Sequence, residues 1–458
     1  MKPSDKKESR KQLSSREAAL KVLKEVEDEG AYVNLVLNRV IARFPLPDPE
    51  RSLLTELSYG VCQRLNTLDW VLTLYLDQPL QKLTAWIRNI LRMGVYQILY
   101  LERIPDAAAV DESVKLAYRY GHRGVAGLVN AVLRKISKKK GELPWPSLEE
   151  STKEYLSLYY SYPLWMVSRW LDNLGLEEAE AQCAAGNLVP PLTVRVNTLR
   201  ITKEKLKNIL QAEGVKVSEC LYAPEGLELK LSGKLAELGS FREGFFQVQG
   251  ESSMLVAPLL NPQPGEIVLD YCSAPGGKTT HLGILMRNEG TIVATDLYPH
   301  RLELVGKAAR HQGVNIISTE RLDGRQLPVE KRSLFDRVLL DVPCSGLGVV
   351  RRKPDLKWTR RPEDIIALAE LQFQLLQQAF TALKDGGVLV YSACTTEPEE
   401  TTAIITKFLQ KEPAAQRVML APFLPQELKK EEKEEGMLFL SPQKHGLDGF
   451  FLAKIRKI

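Results

Sequence analysis

Residues 266–296, EIVLDYCSAPGGKTTHLGILMRNEGTIVATD, decide the fold. EIVLDYC (266–272) is a near-continuous apolar run, the pattern of a strand buried on both faces. A glycine turn follows and runs into the helical stretch SAPGGKTTHLGILM. TIVATD (291–296) is a second apolar strand, and PHRLELVGKAARHQG a second helix. A third strand is expected near 316–320, a fourth at FDRVLLD (335–341) and a fifth at VLVYSAC (388–394). Between the last two, PEDIIALAELQFQLLQQAFTAL reads as a long helix ended by Lys384-Asp385-Gly386-Gly387. Strand–helix repetition of this kind predicts an open, Rossmann-like parallel sheet with helices on both faces. In the tail, MLFLSP and GFFLAKIRK are expected as antiparallel edge strands, separated by the solvated run QELKKEEKEEGM.

Working outward, the texture changes twice. Residues 191–250 mix short strands (PLTVRVNTLRI, VKVSECLYA, GLELKL, GFFQVQGE) with one helix, ITKEKLKNILQAEG, and read as a small α/β module. Residues 15–140 are helix after helix. SREAALKVLKEV opens with a serine cap and carries apolar residues at helical spacing. SKKKGELPWP (137–146) looks like the exit linker, and 150–190 is helical again. The expected domains are therefore 1–142, all-helical; 143–236, a helical linker with the small α/β module; and 237–458, the Rossmann-like domain.

The chain has 458 residues, 44% of them hydrophobic and 26% charged. Those values match soluble globular averages and exclude a collagen-like, coiled-coil, disulfide-rich or largely disordered chain. The six cysteines are scattered with no Cys-x-x-Cys pair, so a zinc finger or thioredoxin-type site is not expected, nor any metal. Such cysteine usage fits a reducing compartment. The polar start MKPSDKKESRKQ lacks the apolar core of an export signal, and no stretch has the length of a membrane span. A cytoplasmic monomer is the expectation. The net charge of +5 is mild, but it is uneven. Residues 1–140 hold 24 Lys/Arg against 16 Asp/Glu, which leaves 38 against 41 for the remainder.

Ligands of such sheets sit at the carboxyl ends of the strands. Asp270, Asp296, Asp341 and Cys394 fall there, and Asp323 follows the third strand. The turn Cys272-Ser273-Ala274-Pro275-Gly276-Gly277-Lys278 tempts a P-loop reading. That pattern needs glycine where Cys272 stands, so it fails, and G-x-G-x-x-G fails as well. What remains is a glycine turn that lets backbone approach a small ligand, with Asp296 placed to accept from a ribose diol. S-adenosylmethionine suits this set better than a nicotinamide dinucleotide. Cys344, in Asp341-Val342-Pro343-Cys344-Ser345-Gly346, and Cys394 end adjacent strands, and a thiolate there could act as nucleophile. Cytosine C5 is a substrate that needs a thiolate together with that cofactor. Addition of sulfur to C6 makes C5 nucleophilic enough to take a methyl group.

DYCSAPGGKTTHL, TDLYPHRLE, FDRVLLDVPCSGLGVVRRKPDLKW, YSACTTEPEE and HGLDGFF resemble, in order, the motifs of RNA cytosine-C5 methyltransferases. The N-terminal SREAALKVL, YVNLVLN, ERSLLTELSYGVCQRLNTLDWVL, RNILRMGVYQILYL and GLVNAVLRKI resemble a NusB-type RNA-binding domain. Together they resemble the ribosomal small subunit methyltransferase B (Sun/Fmu) group. The resemblance implies that Cys394 is the nucleophile, that Cys344 serves product release, and that Asp341 lies beside the cofactor methyl and the base. It also implies cofactor contacts from Cys272, Ser273, Ala274, Pro275, Gly276, Gly277, Lys278, Asp296, Arg301, Asp323 and Asp341. Ala393 stands where the family usually has Thr or Ser.

The implied substrate is small-subunit 16S ribosomal RNA, at the cytosine customarily numbered 967, flipped or unpaired so that the base can be reached. Arg351, Arg352, Lys353, Lys357 and Trp358 offer cations and an aromatic beside the site, types suited to phosphate pairing and base stacking. Arg195 and Asn197 match a segment of the family's RNA-binding module. The same chemistry on tRNA or on another ribosomal site is an alternative, as is a non-catalytic RNA-binding or antitermination factor.

Overall fold

The computed structural model describes residues 13–231, 233–432 and 434–458. The polar start that bears on export lies outside them. The chain forms two compact units: one runs through Asn187 and includes Lys353–Thr359, and the other comprises Leu188–Arg352 and Arg360–Ile458.

The first unit is all-helical. Its first helix, Ser15–Glu29, is capped by Ser14, whose hydroxyl accepts from the Glu17 N–H at 3.2 Å, and it stops at Gly30 with φ +62°. Helices Asp48–Gln63, Ala85–Tyr100, Asp106–Tyr120 and Arg123–Lys139 bury Leu54, Leu57, Ile90, Leu91, Ala109, Val129 and Leu133 in one core. Gly60 and Gly94 permit the close approach. A Cβ on Gly60 would lie 2.0 Å from the Tyr96 ring, and one on Gly94 2.5 Å from Leu133. The expected exit linker at 137–146 is corrected. The helix runs on to Lys139, and Trp145 packs against Trp70 with ring centroids 4.5 Å apart. Contact between these two half-buried indoles outweighs the turn signal of the nearby prolines. Helices Thr152–Tyr159, Leu164–Leu174 and Leu176–Ala185 continue this same unit rather than linking it to the next.

The second unit opens with a four-stranded antiparallel sheet of β1 (Leu192–Val196), β2 (Lys216–Glu219), β3 (Gly226–Lys230) and β4 (Phe246–Val248), in the order β2-β3-β1-β4. β4 pairs with β1, so the module extends past the boundary expected at residue 236. Val194, Val196, Leu206, Leu210, Leu227 and Phe246 form its core.

The larger sheet contains β5 (Ile267–Asp270), β6 (Thr291–Asp296), β7 (Ile317–Arg321), β8 (Phe335–Asp341), β9 (Leu383–Ala393), β10 (Ala415–Arg417), β11 (Met437–Leu440) and β12 (Phe450–Lys457). Its order is β10-β12-β9-β8-β5-β6-β7, with β11 paired to β12. β5 to β9 are parallel, as the strand–helix repetition predicts. Leu269, Val338, Leu340, Leu389 and Tyr391 face one core, while Val268, Leu339, Val388 and Val390 face the other. Burial on both faces is why these strands read as unbroken apolar runs.

Two expectations at the C-terminal end are revised. β12 is no edge strand: it pairs antiparallel with β9, β10 and β11. The long helix ends at Thr381, and Lys384–Gly387 form a bulge inside β9, with Leu383 opposite Phe335 and Val388 opposite Arg337. Gly386 takes φ +79° there, which glycine adopts without steric cost. The chain leaves β5 toward β6 on one side and crosses to β8 on the other, so the switch-point crevice opens between β5 and β8.

Candidate functional site

The first turn is built to bring backbone into that crevice. After β5, Ser273 N–H donates to Thr295 O at 2.9 Å, and Gly276 N–H closes the turn onto Ser273 O at 2.8 Å. Gly276 has φ +103°, and a Cβ there would sit 2.9 Å from the Val305 Cα, so only glycine fits. Around Gly277, by contrast, a Cβ would meet nothing nearer than Gln249 at 4.0 Å. Asp270 is fully buried, and its Oδ2 accepts from the Thr279 hydroxyl at 2.6 Å. Burial pushes its carboxyl up to about 7, Thr279 opposing and Asp341 repelling. Its Oδ1 has no partner among the described residues.

Two cavities meet at this turn, and both touch Cys272, Ala274 and Asp341. The larger, about 390 Å³, is also lined by Tyr271, Asp296, Arg301, Asp323, Leu371 and Leu375. The smaller, about 210 Å³, adds Gln249, Asp270, Ser273, Pro275, Gly277 and Lys278. Asp296 accepts from the Tyr298 N–H at 3.0 Å and faces Arg301 at 3.2 Å. Arg301 also donates to Ala274 O at 3.3 Å, tying the first turn to the second. Asp323 is held down to about 2 by its hydrogen bonds from Arg325, the closest at 2.6 Å.

These residues fit S-adenosylmethionine. The larger cavity lies in the size range of small-molecule sites. Asp296 and Asp323 offer carboxylates to diol and amine donors, and the Asp270 Oδ1 is a buried acceptor lacking a protein donor.

Asp341, at the end of β8, joins cofactor side to cysteine side. Its Oδ2 accepts from Lys278 Nζ at 2.7 Å and its Oδ1 from the Ser392 hydroxyl at 2.7 Å. Beyond it the Cys344 and Cys394 sulfurs lie 3.1 Å apart. The Cys344 thiol is pushed well up by its bond to Cys394 and by burial. Cys62, Cys183 and Cys220 are also pushed up, to about 12, by burial. Among the described residues, no group of three or more His, Cys, Asp or Glu side chains is placed to hold a metal ion.

The loops around Cys344 and Cys394 are held by residues that the motifs did not single out. Asp448 accepts from Arg351 and Arg352, each at 2.6 Å, and Gly348 N–H donates to Cys394 O at 3.0 Å. A Cβ on Gly348 would lie 2.1 Å from Gly449 O, so two glycines allow the backbone crossing that seats the Cys394 loop. Gly348 and Gly449 lie in two of the quoted segments, but a glycine's reason shows only once its neighbour is known.

The residues expected to touch RNA are rearranged. Arg195 is fully buried and donates to Gly277 O at 2.7 Å, Thr280 Oγ1 at 3.1 Å and the side chain of Gln249. Asn197, also fully buried, donates to Gly244 O at 2.9 Å and Gln312 O at 2.7 Å. Both brace the small module against helices Gly277–Leu285 and Pro299–Gln312 instead of facing solvent. Lys357 lies buried in the helical unit, 3.6 Å above the Tyr162 ring, and donates to Asn187 Oδ1 at 2.8 Å. Trp358 Nε1–H donates to Cys62 O at 2.6 Å within the same unit. Arg195, Asn197 and Lys357 are thus buried away from solvent, and the Trp358 indole N–H is already taken. Arg351 and Arg352 are committed to Asp448, while Lys353 is exposed. Strand alternation and charge content could not reveal these partners.

Comparison with known proteins covers almost the whole chain. The family described as 16S rRNA methyltransferase RsmB/F matches residues 257–456, the NusB family matches 13–138, and the ferredoxin-like domain of the RsmF/B-like methyltransferases matches 162–235. The Bacillus subtilis protein named "Probable ribosomal RNA small subunit methyltransferase B" is 39% identical over 449 residues, 98% of this chain and 99% of that one. The crystal structure of PH0851 superposes with a TM-score of 0.82 at 26% identity, over 97% of this chain and 99% of that one. The crystal structure of NSun6 from Pyrococcus horikoshii with SFG gives 0.57 at 25% identity, over 65% of this chain and 99% of that one.

Proposed function

The chain belongs to the 16S rRNA methyltransferase RsmB/F family, S-adenosylmethionine-dependent RNA methyltransferases, and we propose that it methylates C5 of one cytosine of 16S RNA, the one customarily numbered 967, through a covalent Cys394–C6 adduct. The observation that carries this reading is the pair of sulfurs 3.1 Å apart, one of them three residues after Asp341, which lines both cavities. S-adenosylmethionine, bound across Asp296, Asp323 and the Cys272–Lys278 turn, supplies an electrophilic methyl group.

The protein's residues do the rest. The Cys394 thiolate adds to C6, moving electron density to C5. Asp341, already an acceptor for Lys278 and Ser392, accepts a hydrogen bond from the N4 amine of the base and so orients it, while the Lys278 ammonium paired with it offsets the negative charge that addition creates. Cys344 serves release: it helps the C5 proton leave, and the C6–S bond then breaks with its electron pair returning to Cys394. A base must be unstacked to reach this crevice, which favours a cytosine in a loop.

The test is methylation of 16S RNA with labelled S-adenosylmethionine, followed by mapping of 5-methylcytosine. Wild type should place one such mark and Cys394→Ala none. Cys344→Ala should trap a protein–RNA adduct that survives denaturant. Absence of 5-methylcytosine from the wild-type reaction would overturn the reading.

A further inference from the structure

Behind the two sulfurs lies a carboxylate that the reaction above leaves unassigned. Glu400 is fully buried just after Cys394 in sequence, in a one-turn 3-10 helix, Pro398–Glu400. Its Oε1 accepts from the Ser345 N–H at 2.8 Å and from Gln372 Nε2 at 2.9 Å, and its Oε2 from the Ser345 hydroxyl at 2.5 Å. Ser345 directly follows Cys344. Gln372 Nε2 also donates to Pro343 O at 2.9 Å, and Arg360 Nε to Ser345 O at 2.9 Å. The residues on either side of Cys344 are thus held by side chains, with Glu400 at the centre.

The same network reaches the other sulfur. Ser345 Oγ and Thr395 Oγ1 are 3.1 Å apart, and Thr395 directly follows Cys394. A serine hydroxyl has one hydrogen, and the shorter, charge-assisted contact to Glu400 claims it. The Thr395 hydroxyl therefore donates back to Ser345 Oγ. Tyr391 OH donates to Glu400 O at 2.8 Å, fixing the carboxylate's own backbone to β9. An acceptor-only group in a buried site must be met by donors, and here they come from Ser345, beside Cys344, and from Gln372, with Thr395, beside Cys394, joined through the Ser345 hydroxyl.

We propose that Glu400 is the positioning residue that holds the Pro343-Cys344-Ser345 turn against the Cys394-Thr395 turn, and so sets the sulfur–sulfur geometry that product release requires. The proposal rests on the covalent reading above. Loss of Glu400 frees the Cys344 turn more than the Cys394 strand end, because Cys394 is also held through Gly348 N–H at 3.0 Å. The adduct then still forms, but it resolves slowly.

The experiment uses the full chain, 16S RNA and labelled S-adenosylmethionine, and measures turnover, cofactor affinity and denaturant-resistant adduct. In Glu400→Ala, turnover should fall roughly tenfold to a hundredfold, the effect of misplacing a reacting group by about an ångström. Cofactor affinity should stay within about twofold of wild type, since the cavities do not include Glu400. Adduct should accumulate although Cys344 is present. Glu400→Gln keeps an oxygen for the Ser345 N–H and should recover most of the turnover. If Glu400→Ala does not fold, Ser345→Ala replaces it, because it cuts the hydroxyl links to Glu400 and Thr395 alone; it should show the same adduct at a lower level. Wild-type release by the folded variants, or a slower rate without adduct, would overturn the proposal. Cys344→Ala in parallel separates the two ideas. If it too gives no adduct, the covalent reading falls and takes this proposal with it. If it traps RNA while the Glu400 and Ser345 variants behave as wild type, the positioning role alone falls.

Discussion

At the ends of β6 and β7, Asp296 and Asp323 are paired with Arg301 and Arg325, arginines about half exposed to solvent. At the ends of β8 and β9, the groups around Cys344 and Cys394 are buried and answer one another: Ser345, Thr395, Glu400 and Gln372. One sheet edge therefore carries two kinds of polar site. On the proposed reading the first admits and releases a charged ligand in every cycle, and pairs whose arginines reach solvent suit that, because they exchange partners at little cost. The second must keep two sulfurs at one distance, and buried hydrogen bonds with no water to compete suit that. Asp341 belongs to both, facing Lys278 on one side and Ser392 on the other.

The contrast can be broken from either side. The largest effect should come from Cys394→Ala, with turnover lost by at least about a thousandfold, as for loss of a nucleophile, while cofactor affinity holds. Single-turnover methylation and equilibrium binding separate the two. Weakened binding in step with the rate would mean that the sites are not distinct. Asp341→Ala comes next. Because it serves both sides, it should lower kcat about a hundredfold and also raise KM for the cofactor. An effect on one parameter alone would move Asp341 wholly to one side.

Asp296→Asn should act on the open side only. Loss of one charge-assisted hydrogen bond, ~1.5–3 kcal/mol, raises KM for the cofactor about tenfold or more and leaves adduct chemistry intact. Asp270 tests the buried wall between the two sides. Its carboxyl ionises near 7 in the fold, against about 3.9 in an unfolded chain, so the folded state binds the proton more tightly. The stability this group contributes is complete below about pH 4 and is lost as pH rises through 7. Urea midpoints at pH 5 and pH 8 should show that slope, and Asp270→Asn should flatten it. The smallest effect belongs to Asp323→Asn: an exposed ion pair adds little to folding, so Tm should not move, and only cofactor affinity should drop slightly.

How far the sequence reached depended on how local each feature is. Four of the five parallel strands were legible because burial on both faces writes a largely apolar run, and TIVATD and FDRVLLD match β6 and β8 residue for residue; β7, ISTER, lies at the sheet's edge and is mostly polar. The glycine turn was legible because positive φ leaves glycine as the fitting residue. Cys344 and Cys394 stood out because strand ends converge on one edge. Arg195 and Lys357 misled, because a cation on a strand or in a charged loop looks the same whether it meets phosphate or a buried carbonyl. β12 was placed at an edge because pairing partners leave no mark on a strand's own pattern.

The sequence alone determined the strand–helix order, the cofactor turn and the chemical types at the strand ends, since each follows from residues a few positions apart. The tertiary structure decided the 3.1 Å between two sulfurs 50 residues apart in the chain, the carboxylate of Glu400 that braces them, and the burial of Arg195 behind Gly277. Those depend on contacts between distant segments. A side chain's charge and shape are written in the sequence, but whether it meets water, RNA or another buried group is settled only when the chain closes on itself.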